Sequence, residues 1–133
     1  DTEQKMIVPT ASEKYRIVVA DDNAKVLELL EKNFRKIGIG IITCRDVEKL
    51  KEYLEEAETD VLYIDETLED GSGVEFCMSI SGKYPQLKKI VMAAHITREL
   101  AEAKQHGIID GYVEKPVSEV TLLDVVRQCE ENV

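Results

Sequence analysis

Val61-Leu-Tyr-Ile-Asp65-Glu-Thr-Leu-Glu-Asp-Gly-Ser-Gly73 is the stretch on which the fold turns. It begins as a short, continuous apolar run. Such a run suits a strand buried on both faces better than one with a wet face, which would alternate. The run stops at an acid, Asp65. Gly71-Ser-Gly73 then breaks the chain before a helix carrying Val74, Cys77 and Ile80. One strand, one loop and one helix are therefore legible in about twenty residues.

The same unit recurs on either side. Arg16-Ile-Val-Val-Ala20 is an apolar run that ends in acids. Residues 24–37 then place Val26, Leu29, Leu30, Asn33, Phe34 and Ile37 at helical spacing, and Gly38 closes the helix. Ile39 to Cys44 reads as the second strand. Asp46 is placed to cap a helix whose inner face is Val47, Leu50, Leu54 and Ala57. Beyond the central unit, Ile90-Val-Met-Ala-Ala94 is the fourth strand, and Thr97 caps a helix that closes at Gly107. Ile108 to Val113 is the fifth strand, stopped by Pro116. Ser118 caps a last helix bearing Val120, Leu123, Val126 and Cys129. Five strand–helix units of this kind predict a doubly wound α/β sandwich. Its parallel sheet is covered on both faces, and its functional edge lies at the carboxyl ends of the strands.

The length of 133 residues fits one domain, read here as residues 15–133 behind a polar linker or tail at 1–14. Within that tail, the apolar run Met6-Ile7-Val8 reads as a frayed end rather than a packed element. With 17 basic and 27 acidic side chains the net charge is −10, which disfavours direct nucleic-acid binding. No apolar run approaches the ~20 residues of a membrane span, and the first residues lack the pattern of a signal peptide, so no membrane insertion is expected. Cys44, Cys77 and Cys129 are widely spaced and suggest neither a disulfide framework nor a zinc site. A cytoplasmic location is the expectation. His95 and His106 lack partners at ligand spacing and read as surface residues.

The polar residues just after the strands carry the chemistry. Strand one ends in Asp21-Asp22, strand three in Asp65, and strand five in Lys115-Pro116. In a parallel sheet these clusters share one edge. Three carboxylates placed together repel unless a cation intervenes. Hard oxygen donors with room for water suit Mg2+, or Mn2+. A lysine beside them adds a point charge for a phosphoryl oxygen. Together these are the parts that phosphoryl transfer to an aspartate requires. The plainer reading of Asp21 and Asp22 is as caps of the first helix.

Val18-Val-Ala-Asp-Asp22, Asp60-Val-Leu-Tyr-Ile-Asp65 through Gly73, and Gly111-Tyr-Val-Glu-Lys-Pro116 together resemble the response-regulator receiver domain of two-component signalling, over about residues 15 to 131. The resemblance implies a flavodoxin-like five-stranded sheet of order 2-1-3-4-5. It also implies a phosphorelay function that uses Mg2+ or Mn2+. Asp65 matches the phosphoacceptor, Asp22 the direct metal ligand, and Asp21 a ligand acting through water. The backbone carbonyl of Thr67 matches the further protein ligand, Lys115 the phosphoryl-binding lysine, Tyr112 the switch aromatic and Gly73 the glycine after the acceptor loop. The implied partners are a histidine kinase or histidine phosphotransfer domain, with a homodimer or an effector domain as the possible output. No enzyme activity is implied beyond the domain's own phosphorylation and dephosphorylation. The chain is compatible with a stand-alone receiver or with a piece of a longer protein such as a hybrid kinase.

Three departures qualify the resemblance. The family places Ser or Thr at the end of strand four, where this chain has Met92-Ala93-Ala94-His95. Counting back from Lys115 puts Ala93 in that slot, and counting along the apolar run puts Ala94 there. Glu69 replaces the usual proline, and an extra residue lies between Gly107 and Tyr112. The alternative function is a receiver-like interaction module not regulated by phosphorylation. A flavodoxin-like nucleotide site is disfavoured because Asp21-Asp22-Asn23 would repel a phosphate.

Overall fold

The computed structural model describes residues 16–131. The tail read at residues 1–14 lies outside the described residues. In chain order the elements are β1 (Ile17–Ala20), α1 (Ala24–Lys36), β2 (Ile41–Cys44), α2 (Val47–Glu56) and β3 (Val61–Asp65). The two-residue strands β4 (Thr67–Leu68) and β5 (Gly71–Ser72) follow. Then come α3 (Gly73–Ser79), β6 (Lys88–Ala93), α4 (Arg98–Gln105), β7 (Gly111–Glu114) and α5 (Glu119–Glu131).

Five strands pair in parallel in the order β2-β1-β3-β6-β7, and β4 and β5 form a separate antiparallel pair. Leaving out that small pair, this is the expected 2-1-3-4-5 order of a doubly wound sheet. Each central strand feeds two cores. Val18, Ala20, Leu62, Ile64, Val91 and Ala93 pack on one side, under α2, α3 and α4. Ile17, Val19, Val61, Tyr63, Ile90 and Met92 pack on the other, under α1 and α5. Both sides being apolar explains why these strands read as continuous runs. Tyr63 is fully buried, and its hydroxyl donates to the Leu122 carbonyl at 2.8 Å.

The glycines that end α1 and α4 do so by the same device. Gly38 and Gly107 have φ of 85° and 78°, a conformation that side chains disfavour. Gly38 N–H donates to Arg35 O and Ile39 N–H to Phe34 O. Gly107 N–H donates to Lys104 O and Ile108 N–H to Ala103 O. These are Schellman closures. The second closure occupies Ile108, so β7 starts at Gly111 and not at Ile108 as expected.

Two helix faces differ from the sequence reading. In α1 the buried stripe is Leu27, Leu30 and Phe34, while Leu29 is 56% exposed. In α5 the buried residues are Leu122 and Val126, while Val120 is 66% exposed. Both helices carry more apolar residues than one stripe can bury, so spacing alone allowed a face one residue out of phase.

Candidate functional site

The parallel register brings the carboxyl ends of the strands to one edge. Ala20 pairs with Ile64 across β1 and β3, and Asp65 pairs with Met92 across β3 and β6. Asp21 and Asp22 therefore follow β1 directly beside Asp65, the last residue of β3. One carboxylate oxygen from each of Asp21, Asp22 and Asp65 lies within 4.8 Å of the others. Asp21 is fully buried, Asp65 is 8% exposed and Asp22 is half-buried.

Lys115 joins them from β7, two strands away, by crossing the end of β6. Its backbone N–H donates to Ala93 O at 2.8 Å. Its Nζ lies 3.1 Å from Asp65 Oδ2 and 3.2 Å from Asp21 Oδ2. The sequence-predicted acids and lysine are thus brought together.

The acids are not spent on capping. Asn23 caps α1, its side chain accepting from Lys25 N–H at 3.0 Å and Val26 N–H at 3.2 Å. This corrects the plainer reading of Asp21 and Asp22 as helix caps. Asn23 stands directly before the first helical residue, and that signal was available in the sequence. Asp21 Oδ1 accepts from Asn23 N–H at 2.9 Å, which turns the carboxylate toward Asp65.

Electrostatics explain the arrangement. Three carboxylates against one ammonium leave an excess of negative charge in a shielded place. Burial, then the charge of Asp21, push Asp65 above its ordinary value. The Lys115 hydrogen bond and charge and the Thr67 backbone hydrogen bond only partly offset this. Burial alone would lower Lys115, but Asp65 and Asp21 hold its proton and the net shift is upward. Asp21 Oδ2 is buried and faces the Lys115 ammonium at 3.2 Å. Three carboxylates that share one ammonium, with an oxygen of each within 4.8 Å of the others, fit a divalent cation.

The remaining predicted residues sit as follows. Thr67 is exposed in β4, paired with Ser72. Gly73 has no alternative residue, since an added Cβ would collide with the Asp65 carbonyl oxygen. Its N–H donates to Glu66 O at 2.8 Å and folds the acceptor loop back on β3. Ala93 is the buried last residue of β6, while Ala94 is exposed beyond it. Tyr112, on the edge strand β7, is half-buried against the core that holds Ala93, Leu100 and Ala103. Lys104 Nζ lies 5.7 Å from the centroid of its ring. His95 and His106 are exposed, as expected. Burial lifts the Cys44 and Cys77 thiols to about 12, which leaves them inert. A cavity of about 490 Å³ lies away from the acids, at the other end of the strands, between Leu54, Ala57, Asp60, Tyr84 and Leu87. Sequence reasoning passed over Arg45 and Asp70, whose contacts with this edge are tertiary.

The response regulator receiver domain family matches residues 17–127. The chain is 26% identical over 114 residues to response regulator protein PilR of Pseudomonas aeruginosa, over 85% of this chain and 25% of PilR. It therefore spans about a quarter of that relative's length. The response regulator DrrB of Thermotoga maritima, an OmpR/PhoB homolog, superposes with a TM-score of 0.74 at 25% identity, over 89% of this chain and 53% of DrrB. A CheY-like receiver domain protein from Methanospirillum hungatei JF-1 gives 0.78 at 21% identity, over 88% and 94% of the two chains, and bears on the fold alone. No described helix is long and apolar enough to cross a membrane.

Proposed function

This chain belongs to the response regulator receiver domain family, and from that membership we propose that it is a phosphorelay receiver accepting a phosphoryl group on Asp65. The donor is a histidine kinase or a histidine phosphotransfer domain. The observation that carries the reading is the cluster of Asp21, Asp22 and Asp65 with Lys115 Nζ against two of its members.

A carboxylate oxygen of Asp65 forms the new O–P bond as the donor's N–P bond breaks, and the leaving imidazole nitrogen takes up a proton. The transition state spreads charge over three equatorial oxygens, and positioning and neutralisation supply most of the catalysis. Lys115, already within 3.2 Å of both buried acids, turns to those oxygens as charge develops. Asp22 and Asp65 would hold Mg2+ or Mn2+ directly, with the Thr67 carbonyl, and Asp21 would hold it through water. Bound there, the cation supplies the positive charge that the net acidity of the site calls for. No separate substrate is turned over, so the chain is not an enzyme in the ordinary sense. The absence of a disulfide among the described cysteines fits work in the cytoplasm.

The output is atypical in this reading. Ala93, not Ala94, takes the switch position, because it ends β6 and its carbonyl receives the Lys115 N–H. It offers no hydroxyl to a phosphoryl oxygen. Tyr112 packs against the same core that holds Ala93, and Lys104 lies over its ring; in this reading these contacts hold it without phosphate. The same alanine favours a second reading, an interaction module that engages a homodimer partner or effector domain without regulation by phosphorylation. Incubation with Mg2+ and a small phosphodonor separates the two. A mass gain of one phosphoryl group, lost in Asp65→Asn, supports the receiver, and an unchanged wild-type mass supports the module.

A further inference from the structure

The turn between β2 and α2 touches both acid-bearing loops. On one side Cys44 O accepts from Asp21 N–H at 3.1 Å, and the Arg45 guanidinium donates to the Asp22 carbonyl at 3.2 Å. On the other side Asp70, in the acceptor loop, accepts from the first two amides of α2, Val47 at 2.8 Å and Glu48 at 3.4 Å. Asp46 supplies the rest, its Oδ1 accepting from Lys49 N–H at 2.8 Å and its carbonyl from Leu50 N–H at 3.2 Å. The first three helical N–H groups, which have no acceptor within the helix, are thereby satisfied, two of them by a residue 22 or 23 positions away. Gly71 lies so close to Val47 that an added Cβ would stand 3.2 Å from its Cγ2. The contact is therefore packed as well as polar.

We infer that the segment Arg45–Glu48 is a brace that sets the separation of Asp22 from Asp65, and that Arg45 and Asp70 are positioning residues for the cation. This rests on the reading of Asp21, Asp22 and Asp65 as a cation site. Neither residue touches the acids' side chains. Arg45 fixes the backbone that carries Asp22, and Asp70 ties the loop that begins at Asp65 to the same short turn. Groups that orient metal ligands from outside contribute typically 10–100-fold in affinity.

Arg45 makes the inference discriminating. A guanidinium near a cation site opposes binding by charge alone, so its removal would tighten Mg2+ binding if electrostatics were its whole effect. A brace predicts the reverse. The test is a titration of the full chain with Mg2+ alone, followed by the amide resonances of Asp22, Asp65 and Glu66. Wild type binds saturably. Arg45→Ala and Asp70→Ala each weaken binding about tenfold, Arg45→Lys and Asp70→Asn weaken it less, and the double alanine variant loses less than the product of the single losses. Amide resonances of α5 that match wild type report an intact fold. Should an alanine variant not fold, the Lys and Asn variants carry the test. A second readout needs no metal, since the Val47 amide exchanges slowly in wild type and faster in Asp70→Asn. Unchanged or tighter binding in Arg45→Ala, or in Arg45→Lys where that variant stands in, overturns the brace. Absence of any saturable shift in wild type overturns the cation site itself.

Discussion

Restoring a hydroxyl at the end of β6 tests how this receiver couples its site to its surface. Ala93 has no accessible surface, so Ala93→Thr places a methyl and a hydroxyl in a filled space. Overpacking of this kind costs about 1–3 kcal/mol, and the unphosphorylated variant should melt several degrees lower. A phosphoryl group on Asp65 changes the balance. A hydrogen bond to a charged group contributes about 1.5–3 kcal/mol, roughly a 10- to 150-fold change in an equilibrium between loop positions. Wild type lacks that contact, and a modification shifts an equilibrium only by its differential interaction with the two states. The assay is the amide spectrum of Leu100, Lys104 and Tyr112 with and without acetyl phosphate and Mg2+. Small changes are expected in wild type and larger ones in Ala93→Thr, with Ala93→Ser as the less crowded check. Large wild-type changes at Tyr112, undiminished by removal of Lys104, would refute the reasoning.

Other outcomes follow from the site. Because burial and the Asp21 charge raise Asp65 above 3.8, the folded state holds that proton more tightly than the unfolded chain. The metal-free protein therefore gains stability from this group as pH falls through the raised pKa toward 3.8, and loses it again as pH rises. Asp65→Asn should melt a few degrees higher at neutral pH and show a flatter profile in thermal melts across that window, and a lower melting temperature would contradict the assignment. Lys115→Ala should fold, since the side chain is 29% exposed. It should melt lower without Mg2+ and accept phosphate at least tenfold more slowly by mass spectrometry. Gly73→Ala should lower stability by more than ~2 kcal/mol in urea unfolding, through the clash with Asp65 O.

The strands were legible because burial on both faces leaves continuous apolar runs, and three of those runs stop at charged residues on the functional edge; their order came from the family resemblance. Asp21, Asp22, Asp65 and Lys115 could be assigned to one edge on that ground alone. Their distances could not, since the reach of Lys115 across β6 depends on register. Helix faces were less legible. Leu29 and Val120 are apolar and exposed, and spacing does not say which of two overlapping stripes meets the sheet. Asn23 was readable as a cap but was overshadowed by the acids before it. Asp70 was not, because it caps α2 from another loop, and no local pattern encodes a contact across 23 residues.

The identity of the phosphorylated residue tests the account most directly. Protein incubated with acetyl phosphate and Mg2+ is treated with borohydride, which reduces an acyl phosphate to an alcohol and leaves free carboxylates unchanged. The peptides carrying residues 16–25 and 60–73 are then sequenced by mass spectrometry. The account predicts homoserine at Asp65 alone, dependent on Mg2+ and absent from Lys115→Ala at early times. Reduction at Asp21, Asp22 or Glu66 instead, or no reduction anywhere, would contradict it.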